Sequence, residues 1–218
     1  MHKQETIKTK VFQAAINFVR EHHPDAIDAA YKYYWDDQQP DEFMQGMALE
    51  LGFMNFEDWL IFDYKANEEK ETFLTIYSKC DPCLSAEEKA VIEATQDSFL
   101  SFYEVLSVSE DKRVLLKDLL CGGDFLLGDK NLTRGLNVGD IFATRLLFLD
   151  DTYVIGGCVY PYSAEQKQQI LRYVDVQFGR YKRNVRQDGT IENYLKDYGD
   201  VFNIIWMNYF LDPSANEV

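Results

Sequence analysis

Histidine and cysteine are scarce in this 218-residue chain, with three of the first and four of the second. His2, His22 and His23 all lie near the N-terminus, so few imidazoles are on hand to serve a nucleophile as general base. No serine stands in a G-x-S-x-G elbow, and no glycine-rich loop has the P-loop or dinucleotide-binding form. Four cysteines are too few for a disulfide scaffold, so thiols are expected. No run reaches the roughly 18 uninterrupted apolar residues that a membrane helix needs. The opening MHKQETIKTK has no apolar signal-peptide core. The expectation is a cytoplasmic protein with no membrane partner. Internal repeats and low-complexity segments are also lacking.

Positive charge is in short supply as well: 22 Lys and Arg against 37 Asp and Glu leave a net charge of −15. The deficit is uneven, at −11 over residues 1–98, −3 over 99–162 and −1 over 163–218. An acidic N-terminal part repels nucleic acid and anionic membrane, and its plain use is solubility.

What is present is material for a core, since 46% of residues are hydrophobic and 15% aromatic, which excludes a disordered chain. Residues 6–23 carry Ile7, Val11, Ala14 or Ala15, and Phe18 at helical spacing, and Pro24 breaks the run. Further helices are expected over 25–37, ended by Gln38-Gln39-Pro40, and over 41–53, stopped near Gly52. Asn55 is read as the cap of the next helix, NFEDWLIFDY, followed by helices over 69–79 and 85–98, the last opened by a Ser85/Glu88 capping box. From residue 99 the texture is β-rich: FLSFYEVLSVSED, RVLLKDLLC, DFLLGD, GDIFATRLLFLDD and TYVIGGCVYPY are short runs separated by Glu-Asp, Gly-Gly, Gly-Asp and Asp-Asp turns. Helical pattern returns at 163, behind Ser163 and Gln166, and a final helix is expected over 191–211, before Pro213. The fold class expected is α+β: a helical N-terminal region (1–98), a small antiparallel β-barrel-like centre (99–162), and C-terminal helices (163–218) packing on the other two.

Six segments in order, FEDWLIFDY, LSAEEKAVIEA, SFYEVLSV, LLKDLLCG, LNVGDIFATRLL and YVIGGCVYPYS, resemble a region of uncharacterised bacterial proteins that carry a SEC-C zinc-binding motif. The resemblance spans roughly residues 50–162. It implies no activity. It implies a zinc module of the form Cys-x-Cys, eight residues, then Cys-Cys or Cys-His, and Cys80, Cys83, Cys121 and Cys158 do not fit that form. The metal function is therefore not carried over, and no cofactor is expected.

Cys80 and Cys83 form a CxxC, CDPC. The first cysteine closes an expected helix instead of opening one, where the dipole would activate it, and zinc would need two more ligands. Structural thiols are the expectation. The acidic doublets Asp36-Asp37, Glu57-Asp58, Glu68-Glu69 and Asp150-Asp151 point about 100° apart on a helix, so they do not converge. Asp63 is different, because on a helical wheel it falls on the face of Phe56, Trp59 and Leu60. A buried carboxylate has to be paired or hydrogen-bonded. Asp63 is expected as a buried polar staple, held by backbone N–H groups of the following turn or by a strand cation such as Arg145 or Lys117. RYKRNVR places Arg180, Lys182, Arg183 and Arg186 around Tyr181, a candidate anion-binding segment whose plain alternative is a helix end with cations complementing the dipole. The aromatic surplus, 14 Tyr, 15 Phe and 3 Trp, suits burial against a protein partner or a second copy. The reading favoured is a non-catalytic protein-interaction or adaptor protein. The alternatives are a nucleic-acid-binding protein using the β-centre and residues 180–186, with nucleic acid disfavoured by the charge, and an enzyme whose carboxylates converge only in three dimensions.

Overall fold

In this computed structural model the described residues are 2–109, 113–128 and 135–211, with side chains from residue 6 onward. Expected turns at Glu110-Asp111 and Gly128-Asp129, and the stop at Pro213, fall wholly or partly outside them. The chain divides into two compact units, Met1–Ser98 and Phe99–Val218. Helices lie toward both ends of the sequence and strands in the centre, so the fold is α+β.

The first unit is helical. It comprises α1 (His2–His22), α2 (Pro24–Tyr34), α3 (Pro40–Phe43), α4 (Met47–Phe62), α5 (Phe73–Cys80) and α6 (Ala86–Asp97). Pro24 opens α2 at its first turn, where a missing N–H costs nothing. Asp36 and Asp37 end that stretch in the left-handed region, φ 51° and 57°, which aspartate tolerates. The break expected at Gly52 falls instead at Gly46, whose φ of 56° and ψ of −132° suit glycine. Gly52 and Asn55 are buried inside α4, so Asn55 is not a cap. Apolar burial continues straight through 52–62 and overrides the local stop signals. Around α4 an aromatic cluster forms. Tyr34 meets Phe56 and Trp59 with ring centroids at 5.3 and 5.0 Å, and Trp35, fully buried, meets Tyr34 edge-on at 4.9 Å. The Ser85/Glu88 capping box is present, and Glu88 also takes Lys10 of α1 at 2.7 Å.

The second unit holds the strands and the C-terminal helices: β1 (Leu100–Ser109), β2 (Arg113–Asp118), β3 (Asp124–Leu127), β4 (Ile141–Leu149), β5 (Thr152–Tyr162), a 3-10 turn (Ala164–Gln166), α7 (Lys167–Asn184), α8 (Ile191–Asp197) and α9 (Val201–Leu211). The strands follow one another in the order β1-β2-β3-β5-β4, and β4 returns to β1. The sheet is mixed, not wholly antiparallel, because β3 and β5 meet in parallel through Leu127 and Tyr153. The cause is parity: a ring of five strands cannot alternate direction at every junction. Asp150 and Asp151, with φ 45° and 59°, form the two-residue hairpin loop between β4 and β5. Positive φ at both positions is what the right-handed twist of the flanking strands selects. Tyr103, Val105, Val114, Leu116, Leu127, Phe142 and Leu146 form the interior cluster. Other strand residues meet α9: Tyr160 packs on Trp206 at 5.8 Å, and the Tyr162 hydroxyl donates to the Phe202 carbonyl at 2.7 Å.

The helix expected over 191–211 is two helices. α8 ends at Tyr198 (φ −126°, ψ 57°), and Gly199 and Asp200 precede α9. Tyr-Gly-Asp combines the usual stop of one helix with a usual start of the next, and here that local signal prevails over the continuous apolar pattern.

Candidate functional site

The interruption between α8 and α9 creates a cavity of about 310 Å³ in the second unit. One wall is a single face of α7, where Tyr173, Gln177, Arg180, Tyr181 and Asn184 recur at helical spacing. The other wall is Tyr194 and Tyr198, followed by Asp200, Val201 and Ile204 of the next helix start. Local signals set the frame. The Ser163/Gln166 box precedes α7, and a Thr190/Asn193 box fixes the start of α8, with the Asn193 N–H donating to the Thr190 hydroxyl at 3.3 Å. Between them, Gly189 lies so close to Tyr181 that an added Cβ would sit 2.5 Å from the ring.

Depth sorts these residues. Tyr181, Tyr194, Asp200 and Val201 are buried; Arg180, Asn184, Val185, Tyr198 and Ile204 are exposed at the rim. The Tyr181 hydroxyl donates to Asp197 Oδ2 at 2.7 Å. Tyr181, Tyr194 and Tyr198 pack together with ring centroids 5.6–5.9 Å apart. Burial is the main cause that raises the phenol pKa values. For Tyr194 the charge of Asp200 adds to it, and for Tyr173 Asp200 also raises the value while Arg180 opposes. Tyr173, Tyr181 and Tyr194 are therefore neutral at pH 7, with Asp200 buried and Arg180 exposed at the rim.

The four cations of the candidate anion-binding segment part company. Arg180 lines the groove, its Nη1 at 3.4 Å from Gln177 Oε1. Lys182 sits over the Phe178 ring at 5.7 Å. Arg183 approaches Gly179, and Arg186 faces Asp188 at 3.4 Å. Tyr181, the aromatic between them, is buried. Asp63 is 6% exposed and stands directly after α4, with its backbone N–H donating to the Trp59 carbonyl at 2.9 Å.

The cysteines do not gather. Cys80 and Cys83 are exposed free thiols, and Asp81 between them accepts the Cys83 N–H at 2.9 Å. His22 stacks on Phe18 and His23 packs against Phe73. Among the described residues no group of three or more His, Cys, Asp or Glu is placed to hold a metal ion.

A polar cluster that sequence reasoning missed lies at the end of β2. Asp118, 2% exposed, accepts three hydrogen bonds at 2.9 Å on one oxygen, from the Ser101 hydroxyl and from the N–H groups of Leu120 and Cys121. Burial raises its pKa, and these donors pull the other way. Burial and the Asp118 charge push the Cys121 thiol up to about 12, so it is no thiolate at neutral pH. A carboxylate followed by Leu-Leu-Cys-Gly-Gly is the one trace in the sequence: an Asp whose own side chain closes the next turn. The cluster is suited to holding that turn.

Residues 50–196 match a family of unknown function, DUF7986. No curated protein and no solved structure matches the chain.

Proposed function

We propose for this chain, which belongs to the DUF7986 family of unknown function, a non-catalytic role in protein interaction, with the groove between α7, α8 and α9 as its recognition site. The observation that carries this reading is the groove itself. Its volume of about 310 Å³ is at the small end of ligand sites, about 300–1,000 Å³, and suits one side chain of a partner. Its rim offers exposed apolar surface, with Val185 at 59%, Ile204 at 42% and Tyr198 at 40%, and tyrosine is favoured where one protein recognises another. The neutral phenols and the thiol of Cys121 supply no activated nucleophile, which weighs against catalysis. In this proposal the family placement extends to the SEC-C-associated bacterial proteins that the sequence resembles, without their zinc, and the setting is cytoplasmic.

Selection from a random peptide library on the intact chain tests the reading. Peptides enriched on the native protein lose binding to Val185→Glu and Ile204→Glu, two changes at exposed positions that leave the fold intact. Enriched peptides that bind both variants as well as the native chain refute the groove as the recognition site.

A further inference from the structure

We infer that the outward face of α4 packs against a basic amphipathic helix of a partner protein, with Met47, Leu51 and Met54 as the apolar seam. This surface belongs to the first unit alone and does not depend on the groove.

α4 is apolar on nearly every side, a pattern that ordinarily means a helix covered all round. Its inward face is covered, with Phe56, Trp59 and Leu60 buried. Its outward face is not. Met47 is 84% exposed and Met54 63%, and Leu51, about one turn from each, is half-buried. On a helix face that meets only water those positions are polar. Steps of four and then three residues put the three side chains in one line, the spacing of the d, a and d positions of a two-helix seam. Methionine suits such a contact, because its unbranched, polarizable side chain adapts to what it meets.

Charge selects the occupant. In that register Glu50 and Glu57 fall at the g positions, where ion pairs across an interface set the choice of partner. Glu50 is exposed, and Glu57 is half-buried and pairs with Arg20 of α1. Asp41 and Glu42 are exposed in α3, just before α4. Between Lys32 and Lys65 the chain holds eight Asp and Glu and no Lys, Arg or His. A second copy of this chain would bring the same acids to the interface, and an anionic membrane would bring like charge as well, so both are repelled. A helix with leucine-type residues on one side and Lys or Arg beside them covers the methionines and meets Glu50 with a cation.

The test uses the intact protein near physiological salt, where distant surface charges are screened. A labelled peptide of about 14 residues, with leucine at i, i+3, i+4 and i+7 spacing and lysine between, is followed by fluorescence anisotropy. It is expected to bind about tenfold or more tightly than a scrambled peptide of the same composition, and by a like margin than a twin with glutamate in place of lysine. Met47→Ser and Met54→Ser, both at exposed positions, each weaken it about tenfold. Glu50→Gln weakens it a few-fold, and Glu93→Gln, the same change at an exposed position of α6, does not. A second readout needs no variant. In protein labelled at its methionine methyl groups, the peptide shifts the NMR signals of Met47 and Met54 and leaves that of Met207, buried in the other unit, in place. Equal affinity for the scrambled peptide reduces the contact to net charge and overturns the proposal, as does unchanged binding in both methionine variants or unmoved Met47 and Met54 signals. Equal affinity for the glutamate twin, or an equal loss in Glu93→Gln, overturns the basic assignment. A chain that dimerises in sedimentation and becomes monomeric in Met54→Ser assigns the face to a second copy. Neutral phosphatidylcholine vesicles that bind through the same methionines, more tightly than the peptide, assign it to a lipid surface. Either result overturns the partner helix.

Discussion

Replacing Asp118 by alanine and by asparagine separates the geometry of its carboxylate from its charge. All three donors, the Ser101 hydroxyl and the N–H groups of Leu120 and Cys121, reach the same oxygen, Oδ1, at 2.9 Å. Alanine removes that acceptor. Ser101 is fully buried and its hydroxyl is left unsatisfied, at a cost of about 1–3 kcal/mol, while the two partly exposed N–H groups lose about 0.5–1.5 kcal/mol each. The expected total for Asp118→Ala is about 2–6 kcal/mol. Asparagine keeps one oxygen in the same place and removes a charge that burial disfavours, so Asp118→Asn is expected to cost less than about 1 kcal/mol at pH 7. The direction of the pKa shift adds a second difference. Because the folded state raises the carboxyl pKa, it holds the proton more tightly than the unfolded chain. The native protein therefore gains stability relative to Asp118→Asn as pH falls from the raised folded value toward the unfolded value of about 3.9. Urea unfolding of the three proteins across that range measures both effects, and hydrogen exchange at Leu120 and Cys121 reports the turn directly. Protection at those two amides is lost in the alanine variant and retained in the asparagine one. If asparagine destabilises as much as alanine at pH 7, the negative charge itself holds the turn and the account of a neutral-tolerant acceptor fails.

Three other outcomes are expected. The Glu88 carboxyl is lowered to about 2 by Lys10 and by Ser85, so its stabilising contribution is present above about pH 4.3 and is lost as pH falls toward 2; in acid-unfolding curves Lys10→Met shrinks that loss, and an unchanged curve counts against the pair. A Cβ on Gly156 would sit 2.6 Å from Leu147 Cγ, so Gly156→Ala is expected to cost about 1–3 kcal/mol by overpacking, and a melting temperature equal to the native one refutes it. Asp63→Asn is expected to lower the melting temperature by removing a charge acceptor at a buried position, and a native melting curve would end the staple proposal.

The legible parts of this fold were those where local chemistry and burial agree. The five strands among the described residues sit within the β-rich runs, because strands in a small ring carry both the apolar pattern and the turn residues. The Ser85 and Ser163 boxes were equally plain, since each needs a short local spacing. What escaped was decided by competition. Gly52 has the look of a stop, yet it lies inside α4 because the apolar face around it continues to Phe62. The parallel β3–β5 junction follows from closure, which no local window contains. The three donors to Asp118 come from β1 and from the turn after β2, so only folding assembles them.

The groove shows the same competition from the other side. Its α7 wall was half visible, since Arg180 and Tyr181 stood in the basic segment, but their roles were exchanged by the helix. At 100° per residue Arg180 and Lys182 face different directions, and the aromatic expected to stack on a ligand turns inward to Asp197. A continuous helix over 191–211 would carry Tyr198 and Ile204 on past α7 along one axis. The break at Gly199 instead places Tyr194, Tyr198, Asp200 and Ile204 around one cavity. The acidic residue is hidden in a sequence with 37 of them, and only burial distinguishes it. The cavity therefore depends on an interruption of that apolar helical run: the same Tyr-Gly-Asp that ends α8 supplies the exposed Tyr198 ring and the buried Asp200.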